Sequence, residues 1–189
     1  MKKGLLKKIT ALSMVAIMSL GFVGCGDSDK KEEKEEKKEP AVEFSEEVSF
    51  DEATGEFTYL GVGGTVPEGY TYSEDMTAAQ TVSFLYQSED MSVVNALVVN
   101  IDYQNQVAEA DAIDQFDTQI KAVYGDQCTS KEVTYNGNKC TEWDIADPNG
   151  AYGGRSAVIC DGEMLIYVEF VTVGDDASDY EAFMNTVVY

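Results

Sequence analysis

NGNKCTEWDIADPNGAYGGRSAVICDGEMLIYVEF, residues 136–170, carries two hairpin signals, Asn136-Gly137 and Asp161-Gly162, between runs rich in β-branched and aromatic residues. Asn-Gly and Asp-Gly favour the left-handed backbone that tight two-residue turns need. The stretch therefore predicts an antiparallel meander. A two-residue turn at 161–162 sets Ile159 opposite Met164 and Ala157 opposite Ile166, so one face collects Ala157, Ile159, Met164, Ile166, Val168 and Phe170. Thr141, Trp143 and Ile145 are expected to share that face, with the core built around Trp143. The other face is expected to be mixed, carrying Cys140, Glu142, Asp144, Ser156, Val158, Cys160, Leu165, Tyr167 and Glu169.

Upstream, the period changes. Between Ala108 and Tyr124, Ile113, Phe116, Ile120 and Val123 recur at spacings of three and four, with Asp111, Asp114 and Asp117 turned away, which predicts an amphipathic helix closed by Gly125. Before it, short strands are expected at 56–59, 64–66, 81–87 and 93–103, punctuated by Gly61, Gly63, Gly64, Pro67 and Gly69. Asn95 to Ile101, apolar on both parities, is the candidate for a central strand. Ser178-Asp179-Tyr180-Glu181 has the spacing of a capping box and opens a closing helix with Phe183, Met184 and Val187 inward. The fold class expected is α+β: an antiparallel β-sheet flanked by helices.

Composition narrows the chemistry. The chain of 189 residues holds 35 acidic and 13 basic side chains and no histidine. Histidine-dependent triads, histidine metal ligands and imidazole pH switches are therefore excluded. A formal charge of −22 excludes nucleic acid as a partner, because phosphate binding needs clustered Lys and Arg. Residues 41–189 keep only Lys121, Lys131, Lys139 and Arg155 against 28 acids, a formal charge of −24. A solvated acidic surface is the plain reading, and a cationic partner the functional one.

The N-terminus supplies an address. Lys2, Lys3, Lys7 and Lys8 precede an apolar run from Ile9 to Leu20, which is shorter than the roughly 20 residues a membrane-spanning helix needs. Gly24-Cys25 at the end of that run resembles the bacterial lipoprotein signal, which implies a diacylglyceryl group on Cys25 as the mature N-terminus. The alternative is an ordinary cleaved signal with a chance cysteine. Residues 26–40, GDSDKKEEKEEKKEP, lack any large apolar side chain and read as a solvated tether. The organisation expected is a signal at 1–24, the lipidated Cys25 and tether to residue 40, and one domain over 41–189.

Val66-Pro67-Glu68-Gly69-Tyr70 is similar to the VPxGW segment of the PsbP/Mog/DcrB-like superfamily, with Tyr70 in place of the Trp, and the order of elements resembles it too. The resemblance implies a sheet sandwiched by helices (α/β/α) in a family of binding and accessory proteins without shared catalytic residues.

Candidate sites follow from the residues themselves. The loop DPNGAYGG, 147–154, presents Asn149 and Tyr152 and leads into Arg155; with Tyr70 these form the expected recognition surface. Cys140 and Cys160 are the best disulfide pair, the alternative being that Cys128, Cys140 and Cys160 are all reduced and buried. No cofactor and no metal are expected, since the thiols lack zinc spacing and the acids lack EF-hand order; an irregular calcium site is the alternative. The function expected is that of a non-enzymatic binding or accessory module, lipid-anchored on the extracytoplasmic face of a bacterial membrane, its partner an envelope protein, a glycan or a cation. The alternatives are an enzyme acting on envelope glycans through Glu142, Asp144 and Glu169, and a small-solute receptor.

Overall fold

The computed structural model describes residues 47–90, 92–103, 108–146, 152–162, 164–173 and 176–189. Among these the chain forms β1 (Ser49–Phe50), β2 (Glu56–Tyr59), β3 (Val62–Thr65), β4 (Thr71–Tyr72), β5 (Thr81–Gln87) and β6 (Val94–Asp102). Helix α1 (Glu109–Tyr124) follows, then β7 (Ser130–Tyr135), β8 (Asn138–Ala146), β9 (Gly153–Cys160), β10 (Leu165–Thr172) and α2 (Ser178–Met184). The class is α+β and the pairing antiparallel. A seven-stranded sheet runs β4-β5-β6-β10-β9-β8-β7, and β1-β2-β3 form a separate small sheet.

Helix α1 carries the chain from β6 to the far edge, and the meander returns until β10 lands between β9 and β6. Both strands at that junction are buried along their whole length, β6 over nine residues and β10 over eight. Two cores result. The larger packs Val82, Leu97, Val99, Ile159, Val168 and Phe170 against the small sheet and α2, with Phe57 stacked on Phe183 at 5.9 Å. The smaller packs Trp143, Val158 and Tyr167 under α1, with Phe116 stacked on Tyr167 at 4.8 Å.

The meander forms as expected, with two shifts of register whose consequences differ. At 161–164 the connection is longer than two residues: the Asp161 N–H donates to the Met164 carbonyl at 3.3 Å, and the Asp161 Oδ1 accepts the Met164 N–H at 2.7 Å. Ile159 therefore faces Ile166, and Ala157 faces Val168. That slip of two preserves the expected apolar face. Between β8 and β9 the slip is odd. Thr141 pairs with Val158 and Trp143 with Ser156, because Gly153 and Gly154 belong to the strand and not to the loop. Trp143 consequently lies on the α1 side, away from Ala157 and Ile159, and Glu142 and Asp144 take the side expected for it. The same slip corrects the disulfide: Cys140 and Cys160 lie on opposite faces, and Cys128, Cys140 and Cys160 are free thiols.

The helices show smaller departures. On α1, Ala112, Phe116, Ile120 and Tyr124 are buried at every fourth position, while Ile113 and Val123 sit at the margin. Ser178 does not cap α2 with its side chain; it lies in the first turn, and the Asp176 Oδ1 accepts its N–H at 2.9 Å. That bond holds the Asp176 carboxyl below its ordinary range. Tyr180, Phe183, Met184 and Val187 face inward.

Gly154 is set by close approach of backbone. A methyl group there would stand 1.9 Å from the Phe170 carbonyl oxygen, so the strand cannot keep its pairing with β10 around any side chain. Gly154→Ala is expected to lower stability by about 2 kcal/mol or more in urea unfolding. Gly137→Ala, at φ 83° with open space around it, should cost about 1 kcal/mol. Equal losses at the two positions would contradict the β9–β10 register.

Candidate functional site

A cleft of about 580 Å³ opens on the larger-core side, where the small sheet meets the turn before β5. Two strained turns build it. Leu60 and Gly61 connect β2 to β3 with φ of 49° and 83°, a turn whose first position suits Asn or Gly. Leu60 adopts it because its side chain is anchored in the core, 2% exposed. A left-handed non-glycine residue costs about 1–2 kcal/mol, which core burial offsets. Across the cleft, Ala78 and Thr81 bridge a tight turn that holds Gln80 at φ 64°. The Gln80 N–H donates to the Tyr59 hydroxyl at 3.0 Å, and its carbonyl accepts the Ile101 N–H at 2.8 Å, so both sheets fix the turn. Leu60 and Gln80 are two of the three non-glycine residues with positive φ among the described residues. Such outliers gather where surrounding structure over-determines the backbone, often at binding sites.

The walls come from Val48, Tyr59, Tyr72, Thr77, Gln80 and Tyr103, with Leu60, Ala78 and Ala79 between them. Among the described residues no lining side chain carries a charge. In a domain with 28 acids that is a marked local departure. The cleft offers aromatic faces together with amide and hydroxyl groups, a combination that orients an uncharged polar ligand.

The residues singled out by sequence do not converge. Asn149 and Cys25 lie outside the described residues. Tyr70 is buried; its hydroxyl donates to the Asp179 Oδ2 at 2.9 Å, its ring lies 5.6 Å from Tyr86, and burial pushes its pKa up. The Asn95 side-chain amide donates to the same Asp179 oxygen at 3.2 Å. Tyr70 thus pins the first turn of α2. Tyr152 is half-buried on the α1 side, edge-on to Tyr124 at 6.4 Å. Arg155 is on the other face, its Nε 2.9 Å from the Asp144 Oδ1 and 3.9 Å from the Glu142 Oε1, with an Nη1 bond to the Gly154 carbonyl at 2.9 Å.

The carboxylates proposed for an enzyme divide between the two faces. Glu142, 1% exposed, accepts Lys131 Nζ at 2.9 Å and the Tyr135 hydroxyl at 2.8 Å, with Arg155 alongside. Lys131 also reaches Asp144 at 3.7 Å. Burial and the Glu142 charge push the Cys140 thiol up to about 11, which keeps it protonated.

Glu169 lies on the α1 side, fully buried, where the Tyr124 hydroxyl donates to its Oε1, and its Oε2 has no hydrogen-bond partner among the described residues. Burial raises its pKa to about 7, against the opposing pull of the Tyr124 bond. The visible signal for this position is an acid inside the otherwise apolar run Leu165 to Val171. Among the described residues, no three acidic or cysteine side chains are placed to hold a metal ion, and no helix is long and apolar enough to cross a membrane.

No family model matches the chain, and no curated protein matches it. A solved structure of a protein from Bacteroides thetaiotaomicron is similar at a TM-score of 0.49 and 14% identity, over 68% of this chain and 45% of that one. This chain spans less than half the length of that protein.

Lys131 and Arg155 hold a buried carboxylate, so removing both cations should destabilise the domain. Lys131→Ala with Arg155→Ala is expected to cost about 3 kcal/mol in urea unfolding, and Asp144→Ala less than about 1 kcal/mol. Adding Glu142→Gln to the double variant should recover part of the loss. No recovery would contradict the uncompensated-charge explanation.

Proposed function

We propose that this chain is a lipid-anchored extracytoplasmic binding module, held to the membrane through Cys25 and the tether, which presents the tyrosine-lined cleft to an uncharged ligand. The observation that carries the ligand chemistry is that the described residues of the cleft walls are all uncharged in a strongly acidic domain. Tyr72 and Tyr103, both half-buried, can cover the apolar faces of a sugar ring, while the Gln80 side-chain amide suits its hydroxyl groups; the Thr77 hydroxyl is taken up by the Ser73 carbonyl and the Ser83 N–H. A neutral glycan unit is the ligand class that uses all of these. The volume lies within the range of about 300–1,000 Å³ typical of small-molecule sites, so this reading joins the binding-module and small-solute alternatives in one site.

The placement draws on Lys2 to Cys25, whose basic start, short apolar run and terminal Gly-Cys resemble a lipoprotein signal. The charged tether would carry the domain clear of the headgroups. A PsbP-like relationship is part of the same proposal: a helix on each face of an antiparallel sheet is consistent with it, and the small sheet shares one face with α2.

Two measurements test the reading separately. Metabolic labelling with a fatty acid should mark the mature chain, and Cys25→Ser should abolish the label; an unlabelled wild-type chain would remove the anchor. Neutral oligosaccharides should raise the melting temperature of wild-type protein, by the equivalent of about 2.7 kcal/mol at a hundredfold excess over Kd. Tyr72→Ala and Gln80→Ala should each weaken that binding by about tenfold, near 1.4 kcal/mol. If the wild-type chain shows no shift with any neutral glycan, the ligand class is wrong.

A further inference from the structure

We propose that Glu169 is a proton-operated latch: in its neutral form it holds the last turn of α1 on the sheet, and when ionised it releases that turn while the larger core stays folded. The argument begins with position. Glu169 is on the central strand β10, flanked in register by Ser156 of β9 and Val98 of β6, and covered by α1. Its one hydrogen bond among the described residues comes from Tyr124, the last residue of α1; its second carboxyl oxygen is buried without a partner. The other groups facing it are neutral hydroxyls. Tyr167, on its own strand, shares a 3.2 Å bond with the Ser156 hydroxyl, and Tyr152 approaches Tyr124 from ahead of β9. Among the described residues no Lys or Arg forms an ion pair with it, since Lys121 is taken by Asp117, and Lys131 and Arg155 are taken by Glu142 and Asp144 on the opposite face.

A buried carboxylate needs several donors to match what water supplies, and one tyrosine does not meet that need. The neutral acid fits the site better, in agreement with a pKa raised from 4.5 to about 7 by burial. The sign follows from linkage. A carboxyl whose pKa is higher docked than released favours docking fully below the released value near 4.5, and loses that contribution as pH rises through about 7. The release is local because α1 belongs to the smaller core. The larger core, with α2 and the small sheet, contains no residue of α1. Gly125, at φ 102° directly after Tyr124, gives that end of the helix a backbone on which to turn. Opening would expose Glu169, Tyr167 and Ser156 as a polar, aromatic floor, giving an extracytoplasmic domain a surface that appears with ambient pH.

Amide hydrogen exchange of the full mature chain between pH 4.5 and 8.5, corrected for intrinsic rates, tests this. Protection in the last two turns of α1 is expected to fall by up to about tenfold per pH unit as far as pH 7 and then to level off. Protection in β6 should not follow. Trp143, the single tryptophan, is buried beside α1 with its Nε1–H on the Asp117 Oδ1 at 3.0 Å, so acrylamide quenching of its fluorescence should rise over the same window. Asp117 cannot produce that change, because Lys121 and Trp143 hold its carboxyl below the ordinary range. Glu169→Gln should abolish the pH dependence of both readouts. If that variant does not fold, Tyr124→Phe serves: loss of the donor raises the Glu169 pKa further, so the fall in protection should continue above pH 7. A flat wild-type profile, pH dependence that survives Glu169→Gln, an unmoved window in Tyr124→Phe, or β6 losing protection in step with α1 would each overturn the latch.

Discussion

β10 joins the sheet last and in its middle, hydrogen-bonded to β6 on one side and β9 on the other. Antiparallel sheets can leave one face to water, but β10 is buried along its whole length, so both parities of its sequence are covered, each by elements that suit what it carries. Ile166, Val168 and Phe170 call for an apolar lid, which the small sheet and α2 supply. Leu165, Tyr167, Glu169 and Val171 present polar atoms among apolar ones, and α1 covers them with Phe116, Ile120 and Tyr124. Burying Glu169 is the cost of placing this strand at the centre, and the tyrosine at the end of α1 partly offsets it.

Tyrosine and carboxylate groups meet at the attachment of both helices. Tyr124 of α1 reaches Glu169, Tyr70 reaches Asp179 in the first turn of α2, and the buried Tyr180 hydroxyl of α2 lies toward Glu142, whose charge helps raise its pKa. Near these contacts Glu169 Oε2, Asn95 Oδ1 and Tyr180 Oη are buried without a hydrogen-bond partner among the described residues. Apolar packing supplies the attachment energy, and these polar contacts fix the angle and register at which each helix sits. The two buried glutamates differ in charge environment. Glu142 has Lys131 and Arg155 within reach, half of the four cations in residues 41–189. Glu169 has none among the described residues, and burial pushes its pKa up to about 7.

Much of the architecture was legible because local signals and burial agreed. Asn136-Gly137 forms its tight turn, with φ of 48° and 83°, and α1 ends at Gly125. The apolar face of β9 and β10 survived an incorrect loop length because the error was even. The side of Trp143 was not legible, because it depends on whether Gly153 and Gly154 count as loop or strand. Glycines that read as loop were needed where β9 passes close to the Phe170 carbonyl. A single residue of register then moved Trp143, Glu142, Asp144 and Cys140 to the opposite faces from those expected. The cleft was illegible for a different reason. Val48, Leu60, Tyr72, Gln80 and Tyr103 come from five separate segments, and no local spacing relates them.

The cleft also explains why Leu60 holds a conformation better suited to Asn. A polar residue at that turn would relax the backbone but withdraw a side chain that is 2% exposed from the larger core. With Leu60 anchored, Tyr59 is held so that its hydroxyl receives the Gln80 N–H, and through Gln80 the small sheet is tied to Ile101 in β6. Cleft shape therefore depends on the core that persists when α1 moves. The cleft lies on the larger-core face of the sheet and Glu169 on the other, in separate packing layers, so a change in one need not deform the other. β8, β9 and β10 each span both: Cys140 and Trp143, Ala157 and Val158, and Val168 and Tyr167 divide between the larger and the smaller core. Glu169 itself lies on β10, next to Val168 and Phe170 of the larger core, so that strand is the shortest physical link between the two layers.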